Sequence, residues 1–277
     1  MRSPGQNHHP ETYNIAVIDK TLTIVELLRD NPSGLSLQAI TEQTGFIKSS
    51  VHRTLGSLKW HGYVEQPVAG GPYRLGMKCL LLARGLTDGV ELLPHARPYM
   101  DELVDAFNES AYLAVLHGGR ALFVDVRETR RRDLRLVGPL GAEVSFHATA
   151  AGKAIAAYMP PDIRRRLLER MALTAVTART RTRRSDVEQE WAAVARRGVA
   201  VNAEETLVGA LFVAAPVFDA DRSVCGAISL GLPTARHTTA LGRSIAARMK
   251  DVCGRLSRSL GEAGYVHRDR DLHDPQR

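Results

Sequence analysis

Two short helix-forming segments that meet at a glycine lie within residues 35–63, and they constrain the fold more than any other feature. Ser36 suits the N-cap of the first segment, which ends before Gly45, and glycine enters positive φ without steric cost. The second segment begins near residue 47, and its apolar residues recur at spacings of four, four and three: Ile47, Val51, Leu55 and Leu58. Such spacing is typical of one buried helix face, so the segment predicts a helix-turn-helix.

The opposite face of the second helix combines hydroxyl and basic side chains without a carboxylate. No acidic residue occurs between Glu42 and Glu65. A short capped helix of this character suits the phosphate-lined major groove of double-stranded DNA. The predicted DNA-contacting residues of this region are Ser36, Lys48, Ser49, Ser50, His52, Arg53 and Ser57.

A hairpin is predicted directly after the second helix. Two β-prone runs, residues 63–66 and 73–75, flank a loop rich in proline and glycine at residues 67–72. A hairpin in this position is the wing of a winged helix-turn-helix, and Arg74 is predicted to lie along the flanking DNA backbone.

Overall charge is a weaker indication of nucleic-acid binding than this local segment. The 277-residue chain has a formal net charge of +7, but residues 1–75 hold seven Lys and Arg against six Asp and Glu. The basic excess lies downstream, at residues 127–135, 164–166 and 179–184. These runs are either solvated surface, an anion site, or a second DNA-contacting surface.

The three cysteines, Cys79, Cys225 and Cys253, are far apart and lack any Cys-x-x-Cys or Cys/His ligand spacing. They fit reduced thiols in a cytoplasmic protein. The sequence has neither a signal-peptide pattern nor an apolar run long enough to cross a membrane. We therefore expect a soluble, cytoplasmic protein with no membrane contact, metal or cofactor.

The periodicity predicts an α+β protein with five segments. These are a disordered arm at 1–12, a winged helix-turn-helix DNA-binding domain at 13–76, a linker helix at 77–93, a ligand-sensing domain at 94–262 and a disordered tail at 263–277. In the fourth segment, helices alternate with mostly antiparallel strands. The linker helix is rich in leucine and is predicted to pack on a second subunit.

Taken in order, the motifs resemble those of the IclR (isocitrate lyase regulator) family of bacterial transcriptional regulators over residues 15–262. The motifs that carry the likeness are AVIDKTLTIVELL, GLSLQAITEQTG, KSSVHRTLGSL, HGYVEQ, YRLG, HATAAGKAIAAYMP, AVNAEET, VGALFVAAPVF and CGAISLGLP. The resemblance implies a profilin/GAF-like, effector-binding C-terminal domain. It also implies a homodimer, often paired into a tetramer, which binds operator DNA under the control of a small-molecule effector.

The resemblance also implies an effector pocket, carried over motif by motif. Its residues are Ala150 and Ala151 in HATAAGK, Asn202 in AVNAEE, Ala210 and Phe212 in GALFV, and Ser229 and Gly231 in AISLGLP, with Leu136 and Val144 on the apolar side. Asn202, Phe212 and Gly231 replace an acid, a small thiol and a hydroxyl that occur at these places in the family. We therefore expect an organic acid with an apolar or aromatic body, its carboxylate held by backbone N–H groups where helix 149–159 begins.

Ile47 is a further departure, since the family often has proline at this first helical position. An isoleucine here is expected to pack beneath the turn.

Two alternatives remain open at this point. Catalysis by the C-terminal domain would draw on Cys225, Ser229, His117, His147, Asp125 and Glu204, which supply the residue types of a nucleophile and its base. The G-x-S-x-G, H-E-x-x-H and P-loop motifs do not occur in the sequence, so we expect no enzyme. The second alternative is a winged helix that binds protein rather than DNA.

Overall fold

The computed structural model describes residues 15–88, 91–129, 136 and 140–267. The chain divides into two compact units, Met1–Gly89 and Val90–Arg277. The predicted disordered arm at 1–12 lies outside the described residues.

The N-terminal unit is a three-helix arrangement with a short hairpin. Its elements are α1 (Ala16–Arg29), α2 (Leu37–Thr44), α3 (Lys48–Trp60), β1 (Val64–Glu65), β2 (Arg74–Leu75) and α4 (Lys78–Asp88). Ser36 caps α2, since its Oγ accepts the N–H of Ala39 at 3.1 Å. Gly45 ends the helix with φ of 70°, a left-handed conformation that favours glycine. The predicted helix-turn-helix and wing are confirmed.

The core of this unit contains the apolar stripe of α3, with one exception. Val51, Leu55 and Leu58 are buried with Ile24 and Ile40. Ile47 is 77% exposed, so the expectation that it packs beneath the turn is wrong. Ile47 is the N-cap residue and has an extended backbone, which takes its side chain out of the helical register of the stripe.

The C-terminal unit is built on one antiparallel sheet. Its strands are β3 (Ser110–His117), β4 (Arg120–Arg127), β5 (Ala200–Ala203), β6 (Ala210–Phe218) and β7 (Val224–Pro233), in the spatial order β4-β3-β7-β6-β5. Its helices are α5 (Leu92–Phe107), α6 (Ala150–Ala156), α7 (Pro161–Arg170), α8 (Arg184–Arg197) and α9 (Thr239–Glu262), with a 3-10 turn at Thr234–Arg236. The predicted α+β fold is confirmed.

The sheet has a hydrophobic core on each face, because successive side chains of a strand point to opposite faces. One core joins Ile228 of β7 to Met100 of α5 and Met249 of α9. The other joins Ala227 of β7 to Ala154 of α6 and Trp191 of α8. The second core holds the small helix α6 directly against the sheet, and it includes Ala150 and Ala151, two of the predicted effector residues.

The bounds of two helices differ from the predicted ones. The linker helix was predicted over 77–93, whereas α4 ends at Asp88 and α5 begins at Leu92 and continues through Pro98. Pro94 falls in the first turn of α5, where backbone N–H groups have no helical partner, so a proline is tolerated. The helix predicted over 149–159 is shorter, Ala150–Ala156, and Thr149 caps its first turn. The predicted domain boundaries themselves stay predictions.

The predicted disordered tail at 263–277 is wrong for its first residues. The N–H of Tyr265 donates to the carbonyl of Leu260 at 2.9 Å, and the N–H of Ala220 donates to the carbonyl of Tyr265 at 2.8 Å. His267 N–H donates to Asp219 Oδ2 at 3.0 Å. Residues 263–267 are therefore fixed to the C-terminal unit, and the rest of the predicted tail lies outside the described residues.

Candidate nucleic-acid interface and ligand cavity

Five of the predicted DNA-contacting residues form an exposed face of α3: Lys48, Ser49, His52, Arg53 and Ser57. Val51, Leu55 and Leu58 are buried against the rest of the N-terminal unit, so the five polar residues on the opposite side of α3 face solvent. No ion pair engages Lys48 or Arg53 within the described part of the chain. The face therefore presents two unpaired cations and several hydroxyl groups, which suits contacts to phosphates and base edges.

Ser50 has a structural role that the sequence did not indicate. It is half-buried, and its Oγ accepts a hydrogen bond from Lys20 Nζ at 2.7 Å. The same ammonium lies 5.6 Å from the ring centroid of Phe46, a cation–π distance. Lys20 of α1 thus fastens the turn and the start of α3 and adds a cation there. Nothing in the periodicity of α1 distinguished Lys20 from a solvated lysine.

The remaining predicted DNA contacts are already engaged within the protein. Arg74 Nε lies 2.6 Å from Glu65 Oε1, and the two residues are direct partners in the hairpin. Ser36 is exposed but uses its Oγ to cap α2. The wing therefore offers an internally neutralised pair rather than a free arginine.

The C-terminal unit contains a cavity of about 340 Å³. It lies where the start of α6 faces the sheet and the segment that follows β5. Five predicted effector residues line it: Ala150, Ala151, Asn202, Phe212 and Ser229. The fold brings these residues together from four separate motifs.

Four predicted effector residues do not line this cavity. Val144 is buried in the core beside α6, and Leu136 contributes its carbonyl to the hydroxyl of Tyr112, which donates at 2.6 Å. Ala210 is at the first position of β6, where its backbone bonds to Glu204 and Leu207, so it closes a loop instead. Gly231 lies behind the ring of Phe212. A Cβ added at residue 231 would be only 2.6 Å from Cε1 of that ring.

The sequence reasoning missed seven lining residues: Tyr112, Phe123, Ala142, Glu143, Thr149, Thr206 and Leu207. Tyr112 is packed edge-on against Phe123 and Phe212, with ring centroids 6.3 Å and 6.0 Å apart. Because side chains alternate between the two faces of a strand, the positions of Tyr112 in β3 and Phe123 in β4 could have predicted these two rings. Burial raises the pKa of Tyr112, which keeps its phenol protonated and able to donate. Glu143 alone carries a formal charge among the lining residues that the structure describes.

Asn202 shapes the loop after β5 through both ends of its amide. Its Oδ1 accepts the N–H of Glu205 at 2.8 Å, and its Nδ2 donates to Thr206 Oγ1 at 2.7 Å. Much of its hydrogen-bonding capacity is therefore spent inside the loop, and its role includes the shape of the cavity wall.

A buried ion pair lies next to the cavity. Lys153 Nζ is fully buried, 2.5 Å from Glu205 Oε1 and 3.0 Å from the carbonyl of Val201. The same oxygen of Glu205 accepts from Arg181 at 2.7 Å. Burial lowers the pKa of Lys153, and the hydrogen bond to Glu205 opposes that effect. The pair joins α6 to the loop after β5, a connection between residues 52 positions apart.

The residues of the catalytic alternative are not assembled into a nucleophile–base pair. No hydrogen bond joins Cys225 or Ser229 to a histidine within the described part of the chain. His147 uses Nδ1 with Ser145 Oγ at 2.9 Å and Nε2 with the carbonyl of Thr174 at 3.1 Å. Burial raises the pKa of Cys225, which disfavours its thiolate.

The described residues offer neither a metal site nor a membrane span. No cluster of three or more side chains suitable for a metal ion occurs there. None of the described helices combines the length and apolar character needed to cross a membrane.

Comparison with known proteins gives the same relatives for both units. The model of the IclR helix-turn-helix domain matches residues 17–67, and that of the bacterial transcriptional regulator IclR C-terminal domain matches residues 85–260. The chain is 34% identical over 254 residues to the glycerol operon regulatory protein of Streptomyces griseus, covering 91% of this chain and 99% of that protein.

Solved structures show the same fold. The Thermotoga maritima IclR has a TM-score of 0.72 at 22% identity, covering 90% of this chain and 100% of that one. An IclR homologue from Microbacterium hydrocarbonoxydans, solved as a complex with 4-hydroxybenzoate, has a TM-score of 0.72 at 19% identity. That match covers 88% of this chain and 99% of the homologue.

Proposed function

The chain belongs to the IclR family of DNA-binding bacterial transcriptional regulators, and from that premise we propose that α3 reads its operator and that the cavity beside α6 receives the effector. The observation that carries the first half is the exposed face of α3. On that face Lys48 and Arg53 have no ion-pair partner among the residues that the structure describes, while the wing arginine, Arg74, pairs with Glu65. Sequence preference therefore depends on α3, and the wing adds little positive charge.

Base edges are met first by the N-terminal residues of a recognition helix. In this chain those residues are Ile47, Lys48 and Ser49, and Ile47 is 77% exposed. An apolar side chain in the major groove has one apolar partner on the bases, the methyl group of thymine. We assign Ile47 to such a contact and Arg53 to a hydrogen-bonding base contact.

The operator can be identified by using the full chain to select double-stranded DNA from a random pool. Footprinting on the selected DNA then locates the bound bases. We expect a pseudo-palindrome whose half-sites lie about one helical turn, or a multiple of it, apart. Binding should weaken steeply with salt, because phosphate contacts release counterions. Failure to enrich any sequence would favour the protein-binding alternative.

The cavity supports a small organic acid with an aromatic body as the effector. Its volume of about 340 Å³ is near the lower limit of ligand pockets. Tyr112, Phe123 and Phe212 supply an aromatic wall, and Ser229 supplies a hydroxyl. A ligand carboxylate is expected at the Thr149–Ala151 side rather than beside Glu143, since like charges repel. The benzoate-type ligand named for the M. hydrocarbonoxydans homologue supports the same class.

Thermal shift with 4-hydroxybenzoate, benzoate and aliphatic acids tests this assignment. A ligand at 100 times its dissociation constant stabilises the folded state by roughly 2.7 kcal/mol. We expect aromatic acids to raise the melting temperature and to change operator affinity, and pyruvate-sized acids to do neither. The reverse ranking would contradict the proposed class. The sign of the effect on DNA depends on which arrangement of the two wings the ligand favours.

An apolar surface of the N-terminal unit supports a homodimer. Its exposed members are Val17, Ile18 and Leu22 of α1, Met77 immediately before α4, and Leu80, Leu81 and Leu82 of α4. Exposed apolar area of this kind marks a protein interface. Sedimentation should show a dimer or tetramer that Leu81→Glu weakens, whereas Leu140→Glu, at an exposed leucine of the other unit, should not. A monomeric wild type would contradict the assignment.

We also expect the protein to act in the cytoplasm, where bacterial DNA is accessible, and to act without catalysis. The relatives are transcriptional regulators, and the regulatory role requires only binding.

A further inference from the structure

The arginine-rich run at 179–184 has no part in the function described so far, and the structure ties two of its members to the loop that lines the cavity. We propose that residues 176–181, the strap, hold residues 202–209, the cavity loop, in the shape that receives the effector. Thr177, Thr180 and Arg181 are then positioning residues for ligand binding. This inference rests on the proposed function of the cavity.

Two threonine hydroxyls join the strap to the backbone of the cavity loop. Thr177 Oγ1 donates to the carbonyl of Glu204 at 2.7 Å, and Thr180 Oγ1 donates to the carbonyl of Glu205 at 2.6 Å. Thr180 Oγ1 also accepts the N–H groups of Val176 at 3.0 Å and Thr177 at 2.9 Å. One hydroxyl therefore closes the turn of the strap and fastens it to the loop.

Charged side chains add a second set of links between the same segments. Arg179 lies 2.6 Å from Glu204 Oε2, but its side chain is 65% exposed, so water screens that pair. Arg181 and Lys153 both form ion pairs with Oε1 of Glu205, at 2.7 Å and 2.5 Å. The side chain of Glu205 is only 5% exposed. A buried carboxylate is costly without cations, so Arg181 and Lys153 together determine where Glu205 lies.

The cavity loop needs this support because its own backbone is strained. Glu204 has φ of 63°, a left-handed conformation that is uncommon for residues other than glycine. From this loop Asn202, Thr206 and Leu207 line the cavity. Releasing Glu204 and Glu205 from the strap would let Thr206 and Leu207 leave the positions that form the wall, whereas Asn202 stays paired with Phe212 in the sheet.

Hydrogen exchange of the full chain, without ligand, tests the strap directly. The reporters are the amides of Glu204, Gly209 and Ala210, which are bonded to the Ala210 carbonyl, Glu204 Oε1 and the Leu207 carbonyl, respectively. Thr180→Val keeps the shape of the side chain and removes its hydroxyl, and Thr180→Ser keeps the hydroxyl. We expect roughly tenfold faster exchange over 202–210 in the valine variant only, the order of one lost hydrogen bond.

A matched pair within the arginine run supplies the second variant. Arg181→Gln removes one of the two cationic partners of Glu205, whereas Arg183→Gln makes the same chemical change at an exposed arginine in the same run. Exchange over 202–210 should rise in the first and stay at the wild-type rate in the second. Melting of the variants shows whether the unit as a whole is intact.

Calorimetry with 4-hydroxybenzoate and benzoate gives the functional readout. We expect Thr180→Val and Arg181→Gln to weaken ligand binding at least tenfold, whereas Thr180→Ser and Arg183→Gln should bind the ligand like the wild type. In the absence of ligand, all four variants should bind the operator with wild-type affinity. Unaltered exchange in both Thr180→Val and Arg181→Gln would overturn the inference, as would faster exchange with undiminished affinity. If the wild type binds neither probe, the ligand class of the proposed function is wrong. The hydrogen-exchange experiment then still tests whether the strap holds the cavity loop.

Discussion

Phe212 and Gly231 are direct partners across β6 and β7, and the ring of Phe212 occupies the space that a side chain at residue 231 would need. A Cβ on Gly231 would lie 2.6 Å from Cε1 of Phe212. The presence of Phe212 therefore depends on glycine at residue 231, because the ring occupies the space that a larger residue there would need. This relationship connects the chemistry of the cavity to the residue pairing of the sheet.

Gly231→Ser should consequently destabilise the C-terminal unit by roughly 1–3 kcal/mol through overpacking. In a Phe212→Cys background the same serine should cost less, since the ring is gone, which gives a coupling of about 1 kcal/mol or more. Urea unfolding followed by the fluorescence of buried Trp191, in a Trp60→Phe background, measures both. Additive effects of the two changes would show that the ring moves freely away from residue 231.

Ala151→Leu should abolish the effector response and spare operator binding. Ala151 lines the cavity and is 1% exposed, so a larger side chain takes ligand volume. Ala192→Leu on the exposed side of α8 is the matched control. The readout is operator affinity with and without the aromatic acid identified by thermal shift. A normal response in a folded Ala151→Leu variant would place the ligand elsewhere.

Arg53→Ala should weaken operator binding by roughly 1–3 kcal/mol and relax preference at one position of each half-site. Arg53 is exposed on α3 and pairs with no acidic residue in the described ranges, so the change removes a contact without breaking an ion pair seen there. Arg29→Ala removes the same charge at the end of α1, where Asp30 already pairs with Arg29, and should leave sequence preference unchanged. Equal effects of both variants would indicate a charge effect without base recognition.

Replacing thymine by uracil in the selected operator tests the contact assigned to Ile47, because the replacement deletes one methyl group. At one position per half-site, wild-type affinity should fall about fourfold, the equivalent of one buried methyl group at about 0.8 kcal/mol. Ile47→Ala should bind the thymine and uracil operators equally. If no thymine shows this coupling, Ile47 does not contact a base.

Only Cys79 should react with iodoacetamide in the folded protein at about pH 8, since the thiolate is the reactive form. Burial raises the pKa of Cys253 to about 12 and raises that of Cys225 as well, whereas Cys79 is only partly buried. Mass spectrometry of labelled peptides should find all three modified after unfolding. Rapid native labelling of Cys225 would revive the catalytic alternative.

Local regularities of the sequence were sufficient for the architecture. The Ser36 cap, the left-handed Gly45 and the stripe of Val51, Leu55 and Leu58 depend on residues within a few positions of one another, so their spacing predicts the helix-turn-helix. The antiparallel strands expected in the fourth segment are predicted for the same reason, since alternation along a strand is also a local pattern. Five cavity residues were also found, because each belongs to a recognisable motif.

Only the tertiary structure decided which side chains are partners. Nothing in the spacing indicates that Lys20 bonds to Ser50, that Glu65 neutralises Arg74, or that Lys153 and Arg181 share Glu205. Periodicity reports which face of an element is buried, whereas a pairing depends on where a distant segment lies. The aromatic wall, the strap and the exposure of Ile47 follow from that packing, so the sequence determined the fold and the family while the folded chain determined the shape of the site.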